Sequence, residues 1–396
     1  MLAPIVLFTY NRLEHTQRTI DTLVKNSLAI NSELFIYSDG YKNEDDKIKV
    51  NSLRKYLKTI KGFKKITIIE QKINQGLASS IIKGVTNIIN KYGKIIVIED
   101  DIVTSPSFLS FMNNALDYYE NIDKVWHISG WNYPLNNINN TIDTFAWRMM
   151  NCWGWATWKV KWRAFKKEPP NLIAQYSKYD IYKFDLDGIG GFWSQVLKNN
   201  SSEMNTWAIF WYATIFNNNG LCINPIKSFV ENIGFDGSGT NTGNRDNYSS
   251  NLAISENIKF TDNLKENKVI LEDIKKFLIE NHNKYSTFNY NILNIINSIS
   301  SLDKNEKYII YGAGTICKLI LLLPYLKDNI EYIIDKNYNK INQILGKDIF
   351  SIDKILENKE MKIIISPIGN EKIIIEDLIK NYGIKKDNLI ILDYTF

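Results

Sequence analysis

Three acidic residues stand in a row at Glu99, Asp100 and Asp101, directly after the apolar run 95–98. Adjacent carboxylates repel one another unless a positive group lies beside them. Hard divalent cations such as Mn²⁺ and Mg²⁺ bind one or two protein carboxylates together with phosphate oxygens of a substrate. The alternative is a solvated strand end whose charge favours the N-terminus of a following helix capped by Ser105. The triplet therefore indicates a cation site or a solvated strand end, and its place in the fold decides between them.

The elements around this triplet alternate between strand and helix through the first hundred residues. Predicted strands cover Pro4–Tyr10, Glu33–Gly40, Lys65–Gln71 and Lys94–Asp101, and predicted helices cover Arg12–Asn26 and Gly76–Tyr92. Continuous apolar strands separated by helices predict a parallel sheet covered on both faces. Ligands bind such sheets beyond the carboxyl ends of the strands, which here carry the sequences TYNR, SDG and EDD. All three polar clusters should share one edge, which favours the cation site.

The rest of the chain divides by composition and pattern. An aromatic-rich, irregular stretch, residues 125–243, is followed by a polar helical stretch that resembles a connector. A strand–glycine turn–helix pattern restarts at Lys307–Leu323, and further strands are predicted at Ile330–Asn337, Lys362–Gly369 and Asn388–Tyr394. We therefore predict an α/β protein with a large first domain, a helical connector and a small second α/β domain, at residues 1–262, 263–303 and 304–396.

Composition and charge narrow the class of protein. At 396 residues the chain should hold more than one core, and 44% hydrophobic with 23% charged residues is typical of a globular protein. The net charge of +5 is dispersed, which argues against nucleic acid as a partner but allows attraction to anionic membranes or phosphorylated ligands. No window offers the roughly twenty apolar residues of a membrane span. Cys152, Cys222 and Cys317 lie far apart, which argues against disulfides and cysteine metal sites and indicates a reducing cytoplasm.

In their order and spacing, the polar strand ends resemble those of the GT-A glycosyltransferases, over about the first 250 residues. Those enzymes bind a nucleotide sugar in a Rossmann-like domain, and their acidic motif takes the form Glu-Asp-Asp in N-acetylglucosaminyltransferase I-like members. The third acid of that motif binds the metal, so the resemblance implies an Mn²⁺ or Mg²⁺ ion on Asp101. Bacterial family-2-like sugar transferases also share a segment similar to CWGWATW, which stands here at residues 152–158.

The resemblance further implies which residues meet the nucleotide. The turn after the first strand cradles the nucleotide in this family, and the acid of the SDG segment, Asp39, would bind uracil. The segment NQGLASS resembles one that passes close to the nucleotide, where Gly76 removes a Cβ from the path. The nucleotide-binding residues so implied are Thr9, Tyr10, Asn11, Arg12, Asp39, Asn74, Gly76, Leu77 and Asp100.

Tryptophans are frequent in the aromatic-rich stretch, residues 125–243, with five in the sixteen residues Trp147–Trp162. We expect this part of the chain to meet the acceptor. Tryptophan faces suit the apolar faces of sugars, and the indole N–H can donate to hydroxyls. Trp155, Trp158 and Trp162 have helical spacing, which predicts a core-facing stripe on a helix. The three residues before that helix, 152–154, are better candidates to line a pocket. Together with the resemblance, this predicts a sugar pocket from Trp131, Trp153, Gly154 and Trp207.

Two carboxylates compete for the role of catalytic base. An inverting transfer needs a carboxylate that takes the proton of the acceptor hydroxyl during attack on the anomeric carbon. Related enzymes often carry an acid beside a helical tryptophan here, but Trp207 is flanked by Ala208 and the expected acid is missing. Glu203 and Asp236 are the two candidates that the sequence leaves open. Each also has an ordinary explanation, Glu203 in the first turn of a helix and Asp236 in a glycine-rich turn.

The glycine-rich segment Gly234–Gly243 is expected to close over the site and to offer backbone N–H groups to phosphate. Many GT-A enzymes place a metal-binding histidine near this segment, where this chain has Asn241. The histidines are His15, His127 and His282, and His127, on a strand, is predicted to be a core residue. With so few histidines and no thiol partner, zinc chemistry is excluded.

The C-terminal part carries a second candidate ligand motif. The run YGAGTIC, with Asp335 about twenty residues on, resembles the Gly-x-Gly-x-x-Gly dinucleotide fingerprint, but Cys317 replaces the third glycine. The domain is about half the size of a full dinucleotide domain and resembles the small Rossmann-like domains of polysaccharide-biosynthesis proteins. A structural, docking or homo-oligomerisation role is therefore favoured over cofactor binding.

These features predict a metal-dependent, inverting hexosyl- or N-acetylhexosaminyltransferase that uses a nucleotide sugar, with uridine as the favoured base. The expected acceptor is a glycan or lipid-linked glycan of surface polysaccharide or glycoconjugate synthesis, met in the cytoplasm at the inner face of the membrane. A nucleotidyltransferase is the first rival, but it would carry a glycine-rich basic loop after strand one, and TYNRLEHT has no glycine. A non-catalytic nucleotide- or carbohydrate-binding protein is the second rival, and a nicotinamide oxidoreductase built on GAGTIC is the third.

Overall fold

The computed structural model describes residues 1–135, 142–236, 248, 251–281, 298–340, 342–367 and 371–392. The chain forms two compact units, residues 1–281 and 282–396, and each has its own sheet. Among the helices that these ranges contain, none is long and apolar enough to cross a lipid bilayer. The predicted α/β class, with a large sheet and a second smaller one, is confirmed.

The strands of the first unit are β1 (Ile5–Thr9), β2 (Glu33–Ser38), β3 (Lys65–Glu70), β4 (Lys94–Glu99), β5 (Ile102–Thr104), β6 (Val125–Ser129), β7 (Thr144–Trp147), β8 (Trp155–Trp158), β9 (Leu221–Pro225) and β10 (Val230–Asn232). Its helices are α1 (Leu13–Leu23), α2 (Glu44–Leu57), α3 (Leu77–Tyr92), α4 (Phe108–Tyr118), α5 (Lys159–Trp162), α6 (Pro169–Gln175), α7 (Lys178–Phe184), α8 (Trp193–Asn200), α9 (Ala208–Asn217) and α10 (Lys268–Asn281). The main sheet has the strand order β3-β2-β1-β4-β8-β6-β9-β7, and β5 pairs with β10 in a separate ribbon. Strands β1 to β4 are parallel, so their carboxyl ends meet along one side of the sheet, which we call the carboxyl edge.

Continuous apolar runs explain the central strands. Every residue of β1, Thr9 included, is buried, and Ile5 pairs with a residue of β2 on one side and of β4 on the other. The strands and helices predicted for the first hundred residues are confirmed, with ends within three residues of the predicted ones. Helix α2 was not expected, because it buries only Val50, Leu53 and Leu57 and most of its other residues are charged or polar.

The tryptophan stripe lies on a strand and not on the predicted helix. Strand β8 pairs with β4 on one side and with β6 on the other, and it buries both Trp155 and Trp158. Helix α5 starts only at Lys159, and Trp162 at its end is also buried. The prediction of core tryptophans is confirmed and that of a helix is wrong. A strand covered on both faces buries successive side chains, so an apolar spacing of three does not separate it from a helix.

The second unit has the strands β11 (Tyr308–Tyr311), β12 (Ile330–Ile334), β13 (Gln343–Ile344), β14 (Lys347–Phe350), β15 (Lys362–Ile365) and β16 (Leu389–Ile391) and the helices α11 (Thr315–Leu321), α12 (Pro324–Lys327) and α13 (Glu371–Tyr382). Its sheet has the order β13-β14-β12-β11-β15-β16. A strand lies within each of the four predicted stretches, and residues 368–369 and 393–394 of the predicted strands lie outside the described residues. The β13–β14 hairpin was not expected. Its turn places Leu345 and Gly346 at φ values of 47° and 82°, which suits a tight hairpin.

The predicted connector divides between the two units. Helix α10 belongs to the first unit, where the Glu266 carboxylate accepts two hydrogen bonds from the Arg148 guanidinium, at 2.7 and 2.8 Å. Lys275, on α10, pairs with Asp187, which lies outside this helix, at 2.6 Å. The first unit therefore continues to Asn281, beyond the predicted end of the first domain.

Candidate functional site

The acidic triplet lies at the carboxyl edge, against the start of α1. The Arg12 guanidinium binds Asp100 and, with 2.8 Å between Nη2 and Oδ2, Asp101. The backbone N–H of Tyr10 also approaches Asp100 Oδ2, at 3.4 Å. Asp100 is 4% and Asp101 8% exposed, and the next helix begins only at Phe108, later than predicted. The alternative of a solvated strand end is therefore wrong, because the acids are buried around an arginine.

Burial sets the charge balance of this cluster. Burial, with the charges of Asp101 and Asp100, raises the pKa of Glu99 well above the usual range of a glutamate, which favours its protonated form. Burial likewise raises the pKa of Asp100 to about 6, against the opposing charge of Arg12. Although burial works against it, the pKa of Arg12 lies above its usual value because Asp100 and Asp101 stabilise the guanidinium. One guanidinium thus serves a cluster of three carboxyls, and a bound cation would favour their ionised forms.

Arg12 also keeps one donor unpaired. Its Nη1 is buried and makes no hydrogen bond within the part of the chain that the structure describes. Leaving such a donor buried without an acceptor costs free energy. Phosphate oxygens are common partners of arginine, often through two parallel hydrogen bonds. The orphaned nitrogen therefore fits an anionic ligand at the carboxyl edge.

The donor set fits a hard divalent cation that arrives with its own oxygen ligands. Carboxylate oxygens are the protein ligands that such ions prefer. Across the described residues, no group of three or more His, Cys, Asp and Glu side chains is arranged to hold a metal by itself. An ion on Asp101 would therefore take its remaining ligands from substrate phosphate and water, which is the usual arrangement for Mg²⁺.

Asp39 organises the neighbouring strand end. Its Oδ1 accepts from the backbone N–H groups of Gly40 and Gln75, both at 2.8 Å. Its Oδ2 accepts from the Gly76 N–H at 2.9 Å and from the Asn74 side chain at 3.1 Å. The structure thus brings together three residues predicted to bind the nucleotide, Asp39, Asn74 and Gly76. A nucleobase at this place would meet a carboxylate that already accepts four hydrogen bonds.

Two glycines at this edge are required for different reasons. Gly76 has a φ of +75°, which favours glycine, and a Cβ there would meet nothing within 4 Å. Its predicted role in clearing a path for the nucleotide stays a prediction. Gly40, which the sequence did not single out, is crowded: a Cβ there would lie 2.3 Å from the carbonyl carbon of Ile73. Leu77 follows as the first residue of α3 and is 45% exposed.

Helix α2 holds two more of the predicted residues in place. The Tyr10 hydroxyl donates to Asp46 Oδ2 at 2.6 Å, and the Asn11 amide donates to Asp46 Oδ1 at 2.8 Å. Burial and the Asp46 carboxylate hold the pKa of Tyr10 above its usual value. Arg54, also on α2, donates to the backbone carbonyl of Asp39 at 3.1 Å. Asp46 and Arg54 were missed because nothing in their spacing marks them and α2 itself was not expected.

An aromatic cluster includes two of the four residues predicted for the sugar pocket. Trp131 meets Trp153 edge to face, with ring centroids 4.5 Å apart, and Phe235 lies 5.4 Å from Trp153. Trp131 is buried, yet its indole Nε1 makes no hydrogen bond with any described residue. Phe235 belongs to the segment that follows β10, which ties this cluster to the chain beside the acidic triplet.

The other two predicted pocket residues lie in packed surroundings. Gly154 has a φ of +57°, and a Cβ there would lie 2.9 Å from a side-chain carbon of Val230. Trp207 is 3% exposed and stacks on Trp155, with ring centroids 5.2 Å apart. Both residues therefore support the packing of the first unit, and sugar contact by either stays a prediction.

The two candidate bases have different surroundings. Glu203 is exposed in a turn after α8, not in a helix, and accepts a hydrogen bond from a serine hydroxyl at 2.7 Å. Asp236 follows β10, and the pairing of β10 with β5 returns the chain to the acidic triplet. There the Ile233 N–H donates to the Asp101 carbonyl at 2.8 Å. A Cβ on Gly234 would lie 2.5 Å from Asp101 Oδ2. These contacts bring Asp236 close to the triplet, whereas the contacts of Glu203 do not.

The predicted closing loop, Gly234–Gly243, is only partly described. Its residues from 237 onwards, Asn241 among them, lie outside the described residues, so closure over the site stays a prediction. Asp236, the last described residue before them, has its Oδ2 3.1 Å from His15 Nε2.

His127 is confirmed as a core residue. It is fully buried, and its Nε2 lies 3.0 Å from the Asn151 carbonyl oxygen while the Trp211 indole N–H donates to its Nδ1 at 3.2 Å. This pattern requires a neutral ring with the proton on Nε2. Burial lowers the pKa of His127 to about 3, which keeps the ring neutral through the physiological range.

In the second unit, the carboxylate of Asp335 binds the backbone of the glycine turn. Asp335 accepts from the backbone N–H groups of Ala313 and Asn337, both at 2.7 Å. Gly312 has a φ of +98°, and Cys317 is fully buried in the core of this unit. The acid that would bind a ribose in a dinucleotide domain is thus engaged by the turn itself, which supports a structural role for this motif.

Comparison with known proteins gives a match for the first unit. Residues 5–162 match the model of the family described as Glycosyl transferase family 2. Solved structures with similarity include TarS of S. aureus, at 8% identity and a TM-score of 0.33, over 58% of this chain and 36% of that one. They also include the mannosyltransferase PcManGT from Pyrobaculum calidifontis in complex with GDP-Man and Mn²⁺, at 8% identity and a TM-score of 0.29, over 55% of this chain and 70% of that one. The chain thus spans about a third of the length of TarS. No curated protein matches the chain.

Proposed function

We propose, on the premise that residues 5–162 are a family 2 glycosyltransferase domain, that the first unit transfers a hexosyl or N-acetylhexosaminyl group from a uridine-linked nucleotide sugar. The acceptor is a hydroxyl of a glycan or lipid-linked glycan, reached in the cytoplasm at the inner face of the membrane. The transfer inverts the configuration at the anomeric carbon and depends on Mn²⁺ or Mg²⁺.

One observation carries this proposal. Arg12, after one strand, and Asp100 and Asp101, after the neighbouring strand, form a buried charged cluster at the carboxyl edge. Ligands bind parallel sheets beyond this edge, and the buried, unpaired Nη1 of Arg12 offers a donor to a diphosphate. The cluster contains both negative carboxylates and a positive guanidinium. It therefore suits a ligand that brings an anion and a cation together, as a metal-bound nucleotide does.

Asp101 would hold the divalent cation, and its partners would be diphosphate oxygens and water. When bound, such an ion neutralises the charge that develops on the departing diphosphate. Arg12 acts from the protein side: it stabilises Asp100 and Asp101 before the nucleotide binds and donates to the diphosphate afterwards. Gly234 packs closely beside Asp101 Oδ2, where a Cβ would come within 2.5 Å of the oxygen, so a side chain there would displace the carboxylate.

Asp236 is the general base of the proposed reaction. Its side chain is 49% exposed, and it follows a backbone segment that contacts Asp101, so it can meet an acceptor close to the donor. It accepts the proton of the acceptor hydroxyl while that oxygen bonds to the anomeric carbon. The bond between the anomeric carbon and the diphosphate oxygen breaks, and its electron pair leaves with UDP. Glu203 remains the second candidate for the base.

Trp131 and Trp153 are the proposed sugar-binding residues. An aromatic face packs against the apolar face of a pyranose ring, and an indole N–H donates to a hydroxyl. The buried Nε1 of Trp131, which has no partner among the described residues, is a donor suited to a sugar oxygen.

Calorimetric titration of UDP, with and without Mn²⁺, tests the donor site on the intact chain and on Asp101→Asn. We expect binding to the intact chain to depend on Mn²⁺ and the metal-dependent part to be lost in the variant, because an amide is a far weaker ligand for a hard cation. Asp21→Asn is the matched control, since Asp21 is an exposed acid on α1 and should leave binding unchanged. Binding that ignores Mn²⁺ in both proteins, or is absent from both, would remove the proposed role of the triplet.

A non-catalytic nucleotide- or carbohydrate-binding protein is the second candidate function. It is favoured by the residues that flank Trp207, since Ala208 stands where related enzymes carry an acid. Release of UDP from a panel of UDP-sugars with Mn²⁺, followed over hours, separates the two candidates. A protein that binds UDP but releases none from any donor would be assigned to the non-catalytic class.

A further inference from the structure

The first turn of α1 contacts both the acidic triplet and the segment that carries Asp236. Arg12, directly before the helix, binds Asp100 and Asp101. His15, three residues later and so on the same face, has its Nε2 3.1 Å from Asp236 Oδ2. We propose that His15 is a positioning residue that fixes the Asp236 carboxylate for proton transfer, an inference that rests on the proposed function.

The contact suits a role in orientation. The His15 side chain is 13% exposed and that of Asp236 is 49% exposed, so the ring is enclosed while the carboxylate stays accessible. His15 Nε2 is buried, and within the described part of the chain it makes no contact with hydrogen-bond geometry, so its 3.1 Å approach to Asp236 Oδ2 is a charge–dipole or ion-pair contact. The terminal torsion of an aspartate side chain is broad, so its carboxylate can take a range of rotations. A ring nitrogen against Oδ2 restricts that rotation and presents the other oxygen in a defined direction.

Orientation matters because a general base must lie about 2.6–3.2 Å from the proton that it takes. Two anchors fix the Asp236 segment relative to the donor: the Ile233 N–H on the Asp101 carbonyl oxygen, and His15 on the carboxylate itself. The first anchor sets the backbone and the second sets the side chain. His15 therefore acts through Asp236 and does not itself touch the substrate.

The test compares His15→Ala, His15→Gln, Asp236→Asn and the double variant His15→Ala/Asp236→Asn. Release of UDP from UDP-glucose, UDP-galactose and their N-acetylamino forms is measured with Mn²⁺, and kcat and KM are determined for the donor that turns over. Arg18→Ala is the matched control, since Arg18 is exposed one turn further along α1. Calorimetric UDP binding on each variant reports whether the donor site is intact.

We expect His15→Ala to lower kcat by about ten- to a hundred-fold at unchanged KM and unchanged UDP affinity, because misplacement of a reacting group costs rate and not binding. His15→Gln should recover part of the rate, since its amide N–H can reach the place of Nε2. In the Asp236→Asn background, His15→Ala should have no further effect, because there is no carboxylate left to position.

Three results would overturn the inference. The first is a His15→Ala variant with the kcat of the intact protein, and the second is an equal loss of rate in the presence and absence of the Asp236 carboxylate. The third is a loss of UDP affinity in Asp236→Asn, which would make Asp236 a ligand of the cation. An intact protein that releases no UDP from any donor would instead remove the proposed function and this role with it.

Discussion

The two sheets of this chain end in glycine turns of the same kind, yet the surroundings of their acids differ. In the first unit Asp39 holds the Asn74–Gly76 turn through its carboxylate, and in the second Asp335 holds the turn that contains Ala313. The carboxyl edge of the first sheet then adds Arg12 with buried carboxylates. The ion pairs of the second unit, as far as it is described, lie between side chains that are largely exposed.

The difference separates an acid that folds a turn from acids that can meet a ligand. A carboxylate whose oxygens accept several backbone N–H groups is part of the structure. A buried carboxylate pair that shares one guanidinium, beside an unpaired donor, can accept a further charged group. A glycine turn is therefore a weak indicator of a ligand site, and polar residues on the neighbouring strand ends decide the matter.

The largest effect is expected from Arg12→Gln, which removes the cation from the first edge. Two buried carboxylates lose their partner, so we expect the free energy of unfolding at pH 7.5 to fall by about 3–5 kcal/mol. Urea unfolding followed by tryptophan emission measures this, because all ten tryptophans lie in the first unit. The loss should shrink at pH 5, since burial raises the pKa of Asp100 to about 6 and protonation relieves the repulsion. If the midpoint of urea unfolding were the same in the variant and the intact chain at both pH values, the proposed difference between the two sheet edges would be wrong.

The second prediction compares Asp39→Asn with Asp335→Asn. Asn keeps one acceptor oxygen and turns its NH₂ group towards the remaining donors, so the cost should follow the number of hydrogen bonds lost. We expect a loss of about 3 kcal/mol for Asp39, which accepts from four donors, and about 1–2 kcal/mol for Asp335, which accepts from two. Hydrogen exchange at the amides of Gly76 and Ala313 reports each turn separately, and equal losses would contradict the comparison.

A matched pair of glycines gives the third prediction. Gly40→Ala forces a Cβ to within 2.3 Å of the Ile73 backbone and should lower the stability of the first unit by about 2–3 kcal/mol. Gly314→Ala, in the second unit, meets nothing within 4 Å and should change stability by less than about 1 kcal/mol, the cost of Ala at a helix N-cap. Differential scanning calorimetry of both variants measures the two changes in stability. A larger loss for Gly314→Ala would mean that its turn is the crowded one.

The smallest effect is a pH dependence confined to the first unit. The pKa of His127 is lowered by burial to about 3, against about 6.5 in an unfolded chain. Between these values the unfolded chain binds a proton that the folded chain does not, so stability falls as the pH falls below about 6.5. At pH 5 the expected loss is about 2 kcal/mol.

The raised pKa values of Glu99 and Asp100 act in the opposite direction, because those folded carboxyls bind protons more readily than unfolded ones. We therefore measure the free energy of unfolding by urea at several pH values, for the intact chain and for His127→Gln. The comparison is between the two slopes of this free energy against pH. Identical slopes would show that His127 contributes nothing. The described part of the second unit contains no histidine and should lack this component.

The sequence was sufficient to predict where the strands end. It was not sufficient to predict which side chains contact the residues at those ends. Apolar runs identify β1, β2 and β4, and the rule for parallel sheets brings Arg12, Asp39 and Asp101 to one edge. That Arg12 is the positive partner of the triplet could not be predicted, because the two lie 88 residues apart and meet only through the pairing of β1 with β4. Asp46 was missed for the same reason, since its role depends on a helix with a weak apolar pattern.

Local patterns misled where burial is complete. Trp155 and Trp158 fit a helical stripe, but their strand is covered on both faces, and no sequence period distinguishes that case. Of the two candidate bases, only tertiary contacts separate Asp236 from Glu203, because the β5–β10 ribbon that carries Asp236 back to the triplet has two three-residue strands. Strands this short leave little pattern in a sequence.

The position of helix α10 determines where the chain can be cut. A recombinant fragment that stopped at residue 262 would lack both Glu266, which precedes α10, and Lys275, which lies within it. Arg148 would lose its bidentate carboxylate partner, and Asp187 would lose one of its cations. Buried charges left in this way are costly, and such a fragment should aggregate or degrade during expression. A boundary placed after Asn281 keeps these partners and retains the whole first unit.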